Sequence, residues 1–173
     1  MNVARVPRIT LVPLAEHHRD AFIQEELANY AEERVRDAAW PRSQALERAC
    51  AELLPMLERE LAEAGQQGHD LWSAINTDGV VVGWLWVRPS GERLRSAFLY
   101  QITVAESFRG QGYGRAILAA LEERLARDGI DELLLNVNVG NLPARRLYAT
   151  AGYEQVGEDR RVRRLRKRLT AMS

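Results

Sequence analysis

Arg109-Gly110-Gln111-Gly112-Tyr113-Gly114 is the stretch on which the fold turns. An apolar run, Phe98 to Val104, precedes it, and Ile117, Leu118, Leu121 and Leu125 follow at helical spacing. Strand, glycine-rich turn and helix in that order make an anion site. The first amides of a helix have no partner inside it, and the helix dipole adds partial positive charge at that end. Glycines let a phosphate approach the backbone without meeting a Cβ. The stretch therefore predicts that the chain binds something phosphorylated.

Two common phosphate loops do not fit. A P-loop requires a lysine followed by serine or threonine, and the chain has neither dipeptide. A dinucleotide loop requires Gly-x-Gly-x-x-Gly, whereas residues 110–114 read Gly-x-Gly-x-Gly. What remains is Arg-x-x-Gly-x-Gly, carried by Arg109, Gly112 and Gly114. That hexapeptide resembles the acetyl-CoA pyrophosphate loop of the GCN5-related N-acetyltransferases (GNAT superfamily). A second stretch, Asn141-Leu142-Pro143-Ala144-Arg145-Arg146-Leu147-Tyr148-Ala149-Thr150-Ala151-Gly152-Tyr153, resembles the family's other signature, Asn-x-x-Ala-x-x-Leu-Tyr-x-x-x-Gly-Phe/Tyr, at every fixed position. Leu165-Arg166-Lys167-Arg168-Leu169 is similar to its closing strand. The two signatures and the strands before them span residues 96 to 157.

The resemblance implies an acetyl-CoA-dependent N-acetyltransferase in which an amine attacks the thioester directly, in a ternary complex. Amides from Gln111 through Gly112, Tyr113 and Gly114 to Arg115 would hold the pyrophosphate, with Gly110 in the same loop and Arg109 adding a charge-assisted bond. The backbone of Ile102, Thr103 and Val104 would pair with pantetheine and polarise the thioester carbonyl. Asn141, with Ala144 beside it, would face the pantetheine arm. Tyr148 is the implied catalytic residue, its hydroxyl protonating the departing thiolate. On helical spacing alone it reads first as a core tyrosine, and Asn141, Ala144, Leu147 and Gly152 around it reverse that reading. No acid lies in Leu99-Tyr100-Gln101-Ile102-Thr103, where many relatives keep a base. Glu106, Glu25, Glu26, Glu32 and Glu33 are the remaining candidates, and an amine arriving already neutral needs none. A non-catalytic acyl-CoA-binding protein and a nucleic-acid-associated regulator are the competing readings.

Composition narrows the partners. Acidic and basic residues balance at 24 each, yet seven of the basic ones lie between Arg160 and Arg168, and no acid follows Asp159. The first 159 residues thus carry 17 basic groups against 24 acidic ones, a balance that attracts a cationic amine. The basic run would track nucleic-acid phosphates, but no recognition motif accompanies it, and arginines on an edge strand also serve to block aggregation. The predicted acceptor is a small-molecule amine or a protein or peptide amine, with a homodimer left open. Cys50 stands alone, and His17, His18 and His69 lack metal-site spacing, so no metal is predicted. No signal peptide or membrane-spanning run is apparent, which predicts a soluble cytoplasmic protein with no membrane partner.

Elsewhere the pattern predicts a strand at Ile9–Leu14, a helix from His17 to Arg36 broken at Trp40-Pro41, and a second helix capped by Ser43 that runs to about Ala64 with a kink or break at Pro55. A loop is expected at Gly65–Gly68. Strands at Leu71–Ile75 and Val80–Val87 are expected around an Asp78-Gly79 turn, followed by a polar loop from Arg88 to Ser96. A fourth strand is predicted at Ala97–Val104, a third helix at Gly112–Arg127, a fifth strand at Leu133–Val137 and a fourth helix at Leu142–Thr150. Strands at Tyr153–Val156 and Val162–Leu169 close the chain. The predicted fold is α/β (α+β), one domain over 1–173, with a mixed, mostly antiparallel sheet of six to seven strands and about four helices. Helices on the acceptor side would fall at about 15–64 and a cofactor-binding core at about 96–157. The resemblance adds that strands four and five run parallel and splay apart.

Overall fold

The computed structural model describes residues 7–63, 70–90 and 95–170. The chain divides into two compact units, one of residues 14–69 and one of residues 1–13 with 70–173.

The first unit holds two helices, α1 (Arg19–Arg36) and α2 (Ala45–Glu63), each entered through a one-turn 3-10 helix. Leu27 and Ala31 of α1 cluster with Ala45 and Ala49 of α2, so small side chains let the two helix faces approach. Ile23, Tyr30, Val35, Leu53 and Leu54 close over them. The chain leaves α1 at Arg36, as the sequence predicts. Ala38 adopts φ 54, the left-handed conformation that usually ends a helix at glycine, and the amides of Ala39 and Trp40 return to the Arg34 carbonyl. Ser43 lies inside the 3-10 turn that Pro41 initiates, so it does not cap α2 as its sequence context suggests. Pro55 sits within α2 and does not end it. The expected loop at Gly65–Gly68 lies outside the described residues.

The second unit is built on one seven-stranded sheet: β1 (Thr10–Pro13), β2 (Asp70–Ile75), β3 (Val81–Ser90), β4 (Ser96–Val104), β5 (Glu132–Asn138), β6 (Glu154–Asp159) and β7 (Val162–Arg168). Their order is β1-β2-β3-β4-β5-β7-β6. Every pairing is antiparallel except β4 with β5. The β2–β3 turn forms because Gly79 supplies φ 78 and the Asn76 side chain accepts from the amides of Asp78 and Val80 at 3.0 and 2.9 Å. Pairing of β3 with β4 reaches Ser90 and Ser96, so the strands take in both ends of the expected polar loop. Residues 91–94 lie outside the described residues.

A parallel step requires a crossover, and α3 (Tyr113–Arg127) provides it. Ile117, Leu118, Leu121 and Leu125 are all at most 2 % exposed and pack on Val82, Leu85, Leu99, Leu133 and Leu135 of the sheet. Burial of each such side chain is worth about 1.5–3 kcal/mol. The last helix, α4 (Leu142–Thr150), begins at Asn141, whose side chain accepts from the Ala144 amide at 3.2 Å, with Pro143 in the first turn.

One expectation about the basic run is corrected. The run forms β7, which lies between β5 and β6 and is therefore not an edge strand; the edges are β1 and β6. Its charges find cross-strand partners instead: Arg166 stands opposite Glu154, and Arg163 opposite Glu158. Lys167 reaches Glu122 of α3 at 2.6 Å. Among the described residues, no helix is long and apolar enough to cross a membrane.

Candidate functional site

The sheet opens between β4 and β5. The two strands pair only from Ser96–Leu99 and Glu132–Leu135. Beyond Leu99, β4 continues to Val104 against β3 alone, and β5 continues to Asn138 against β7 alone. From Tyr100 onward the β5-facing edge of β4 thus offers backbone donors and acceptors with no strand opposite them. A linear group carrying amides can pair there as an added strand would. Ile102, Thr103 and Val104 all lie on this stretch, Thr103 buried and the other two half-buried.

The glycine loop follows at the end of that edge. Gly110 and Gly112 take φ 73 and φ 85, so both are glycines for backbone reasons alone. Gly112 is the N-cap of α3 and supplies no side-chain cap. The Ala116 amide bonds to the Gly112 carbonyl at 3.2 Å. The preceding amides, of Tyr113, Gly114 and Arg115, belong to the turn whose donors a helix leaves outward. Gly114 is different from its neighbours. Its φ is not in the left-handed region, and a Cβ there would meet Leu147 Cδ2 and Val104 Cγ2 at 3.6 and 3.7 Å, ordinary contact distances. Neither its φ nor its neighbours require a glycine at that position, and the missing Cβ leaves the helix terminus open to close approach. The residues present thus fit a phosphate group.

The loop also braces itself. The Arg109 Nε donates to the Val104 carbonyl at 2.9 Å, tying the loop back to the strand end. The Gln111 amide donates to the Ser107 carbonyl at 2.8 Å. Tyr113 packs edge-on to Phe108, with ring centroids 5.3 Å apart. Arg109 therefore has a structural duty that the sequence did not disclose. The same holds for Asn141, whose side-chain oxygen caps α4 and leaves its amide nitrogen as the donor.

Tyr148 lies on α4, 5 % exposed, its ring edge-on to Tyr153 at 5.4 Å. Burial pushes its hydroxyl up to about 12, so at neutral pH it is a proton donor. Behind it Tyr153 is raised as well, by burial first and then by the Glu122 carboxylate. The Glu122–Lys167 ion pair holds that carboxylate, and Lys167 Nζ sits 5.8 Å from the Tyr153 ring centre. The sequence reading missed this assembly, because its members come from α3, β7 and the turn before β6.

A second missed residue is Gly83. A Cβ there would lie 2.2 Å from the Thr103 carbonyl oxygen and 3.0 Å from Ile117 Cδ1. Only glycine lets β3 approach β4 so closely at the strand end where the split opens. A glycine inside a strand pattern is the signal that could have found it.

The candidate bases are dispersed. Glu106 is exposed in the turn after β4. In the helical unit, Glu32 is tied to Arg42 at 2.6 Å, Glu26 is buried, and Glu25 and Glu33 are half-buried.

The model of the acetyltransferase (GNAT) family matches residues 23–153. The uncharacterized N-acetyltransferase YycN of Bacillus subtilis is 31% identical over 148 residues, 85% of this chain and 93% of its own length. Its crystal structure superposes with a TM-score of 0.74 over 87% of this chain and 95% of that one. A mycothiol acetyltransferase of Brachybacterium faecium is 33% identical over 109 residues, 62% of this chain and 33% of the relative. The spermidine N-acetyltransferase of Vibrio cholerae, solved with CoA and spermine, shares the fold at a TM-score of 0.71 and 16% identity, over 94% of this chain and 96% of that one.

Proposed function

The chain belongs to the GNAT acetyltransferase family, and from that premise we propose that it moves an acetyl group from acetyl-CoA to a primary amine by direct attack in a ternary complex. The observation that carries the proposal is the junction at Gly114, where the first turn of α3 meets Val104 at the unpaired end of β4 and Leu147 of α4, the residue before the buried Tyr148.

Acetyl-CoA supplies the thioester whose acyl group is transferred. The amides from Gln111 to Arg115 bind the pyrophosphate, with the α3 dipole behind them. Gly114 leaves room for it. The backbone of Ile102, Thr103 and Val104 orients the pantetheine amides, and the Asn141 amide nitrogen and Ala144 border the same arm. A main-chain N–H of β4 at the thioester carbonyl stabilises negative charge on that oxygen, a contribution worth a few kcal/mol. Tyr148 holds its proton through the whole physiological range and delivers it from its hydroxyl to the departing sulfur. Arg109 acts on the loop, fixing its origin at Val104, rather than first on the ligand. With no carboxylate on β4 beside the reacting centre, the acceptor is read as an amine that enters the site already neutral.

Support for an amine acceptor comes from the acidic balance of the first 159 residues and from the relatives' names, which include spermidine and ribosomal-protein alanine acetyltransferases. The test is a panel of polyamines, amino acids, aminoglycosides, peptide N-termini and lysine peptides, read by CoA release and by the mass gain of one acetyl group on the acceptor. The proposal expects stoichiometric thiol release and acetylated amine with at least one class. Binding of acetyl-CoA with no acetylated product across the panel would leave a ligand-binding protein and overturn turnover.

A further inference from the structure

A cavity of about 400 Å³ opens along the side of α4, over the β5, β7 and β6 end of the sheet. Its apolar lining comes from Val137, Leu142, Ala149 and Leu165. Three guanidinium-bearing side chains, Arg145, Arg146 and Arg163, line it as well. Of the three, Arg163 has an acid across the strand pair, Glu158, at ion-pair but not hydrogen-bond distance. Arg163 Nε is buried with no hydrogen-bond partner, and its nearest carboxylate oxygen, on Glu158, stands 3.8 Å away. That carboxylate also receives the Gln155 amide at 3.1 Å. Arg145 spends one terminal nitrogen on the Val139 carbonyl at 2.9 Å, one donor of its five. Leu142 is 54% exposed at the mouth, an apolar side chain in the first turn of a helix where polar ones are usual.

On α4 the groove takes the face turned away from Tyr148, although Val137 and Tyr153, which also line it, belong to the same core cluster as Tyr148. At 100° per residue, Leu142, Arg145, Arg146 and Ala149 form one face of α4, while Ala144, Tyr148 and Ala151 belong to the opposite one. The second set packs on the core, with Tyr148 toward Tyr153.

We propose that this groove is a second ligand site, for a small carboxylate carrying an apolar tail. The carboxylate answers the chemistry of the wall. An orphaned buried Nε beside two further guanidinium groups favours a planar, singly charged acceptor that takes parallel N–H bonds. The tail answers the floor, where Val137, Ala149 and Leu165 offer no hydrogen-bonding group. The volume falls at the lower end of the range for small-molecule sites, which suits a medium-chain acid rather than a nucleotide. Charge on the guanidinium groups alone would hold acetate weakly, and the apolar floor alone would hold an alcohol of the same length. The two together select the acid.

Octanoate is the probe, titrated into the full chain by calorimetry or by shifts of backbone amide resonances in α4 and β7. The site predicts saturable binding at low millimolar concentration or tighter, with octanol and acetate each at least about tenfold weaker. Arg163→Gln removes the guanidinium whose Nε is unbonded, and Leu142→Asp sets a carboxylate at the mouth, at an exposed first-turn position that tolerates acids. Each should weaken octanoate by about tenfold and leave acetyl-CoA affinity unchanged. Saturating CoA should not displace octanoate, a result independent of whether the chain turns over. Absence of octanoate binding to the folded wild type at about 10 mM overturns the proposal. So does equal binding of octanol, unchanged affinity in both folded variants, or displacement by CoA, which would assign the groove to the cofactor.

Discussion

In the proposed mechanism Tyr148 serves both packing and chemistry. Its ring belongs to the core, and the same burial raises its hydroxyl to about 12. The sign of the effect follows from linkage. Above the ordinary tyrosine value of about 10 the unfolded chain loses this proton while the folded chain keeps it, so stability falls as pH rises from there to about 12. Tyr148→Phe should flatten part of that alkaline loss in denaturation measured between pH 9 and 11. In catalysis the same shift predicts a rate that climbs as the acceptor amine loses its proton and shows no descending limb below about pH 10. A limb falling near the ordinary tyrosine value would contradict a buried acid. At a pH where chemistry limits turnover, Tyr148→Phe should lower kcat by about tenfold to a few hundredfold with a nearly constant KM for acetyl-CoA. An unchanged kcat would leave Tyr148 a packing residue only.

At the scale of elements, the decisive feature is a strand that changes partners halfway. β4 keeps β3 along its whole length and loses β5 after Leu99. Gly83 lets β3 close on the released end, because any Cβ would press on the Thr103 carbonyl at 2.2 Å. Gly83→Ala should therefore cost about 1–3 kcal/mol of stability, as overpacking does. It should also weaken acetyl-CoA, since relief of the clash moves the backbone that borders the split. A melting curve and a binding isotherm on the same sample check both; a variant with wild-type affinity would mean that Thr103 does not touch the cofactor. Much of this level was legible from the residues. The α4 bounds, the α3 heptad-like apolar face and the Asn76–Gly79 turn follow from local chemistry that needs no tertiary partner. Other features were not. Ala38 in a left-handed conformation, the Gly83 contact, and the place of β7 between β5 and β6 are set by neighbours far away in the chain. The arginine-rich run looks like an edge in sequence because the acids that answer it, Glu154 and Glu158, lie on another strand. Arg109 and Asn141 were legible as members of motifs but not as the loop brace and helix cap they form.

At the scale of the whole molecule, the proposed site depends on the packing of α3 and α4 beside one gap in a sheet, and the account stands or falls on what enters that gap. Net charge is zero, with an acidic majority ahead of residue 160 and a basic run answered by cross-strand partners after it. The proposed pyrophosphate site therefore rests on the amides at the start of α3 rather than on overall charge. Gly114 isolates that claim, because its φ and its surroundings both accept a Cβ, so that the proposed ligand is what a side chain there would meet. The most direct measurement is calorimetric titration of acetyl-CoA into the wild type and into Gly114→Val, with thermal melts of both. The account predicts one site per chain in the wild type and at least about a tenfold loss of affinity, about 1.4 kcal/mol, in a variant that remains folded. Wild-type affinity in folded Gly114→Val, or no binding of acetyl-CoA to the wild type, would contradict it.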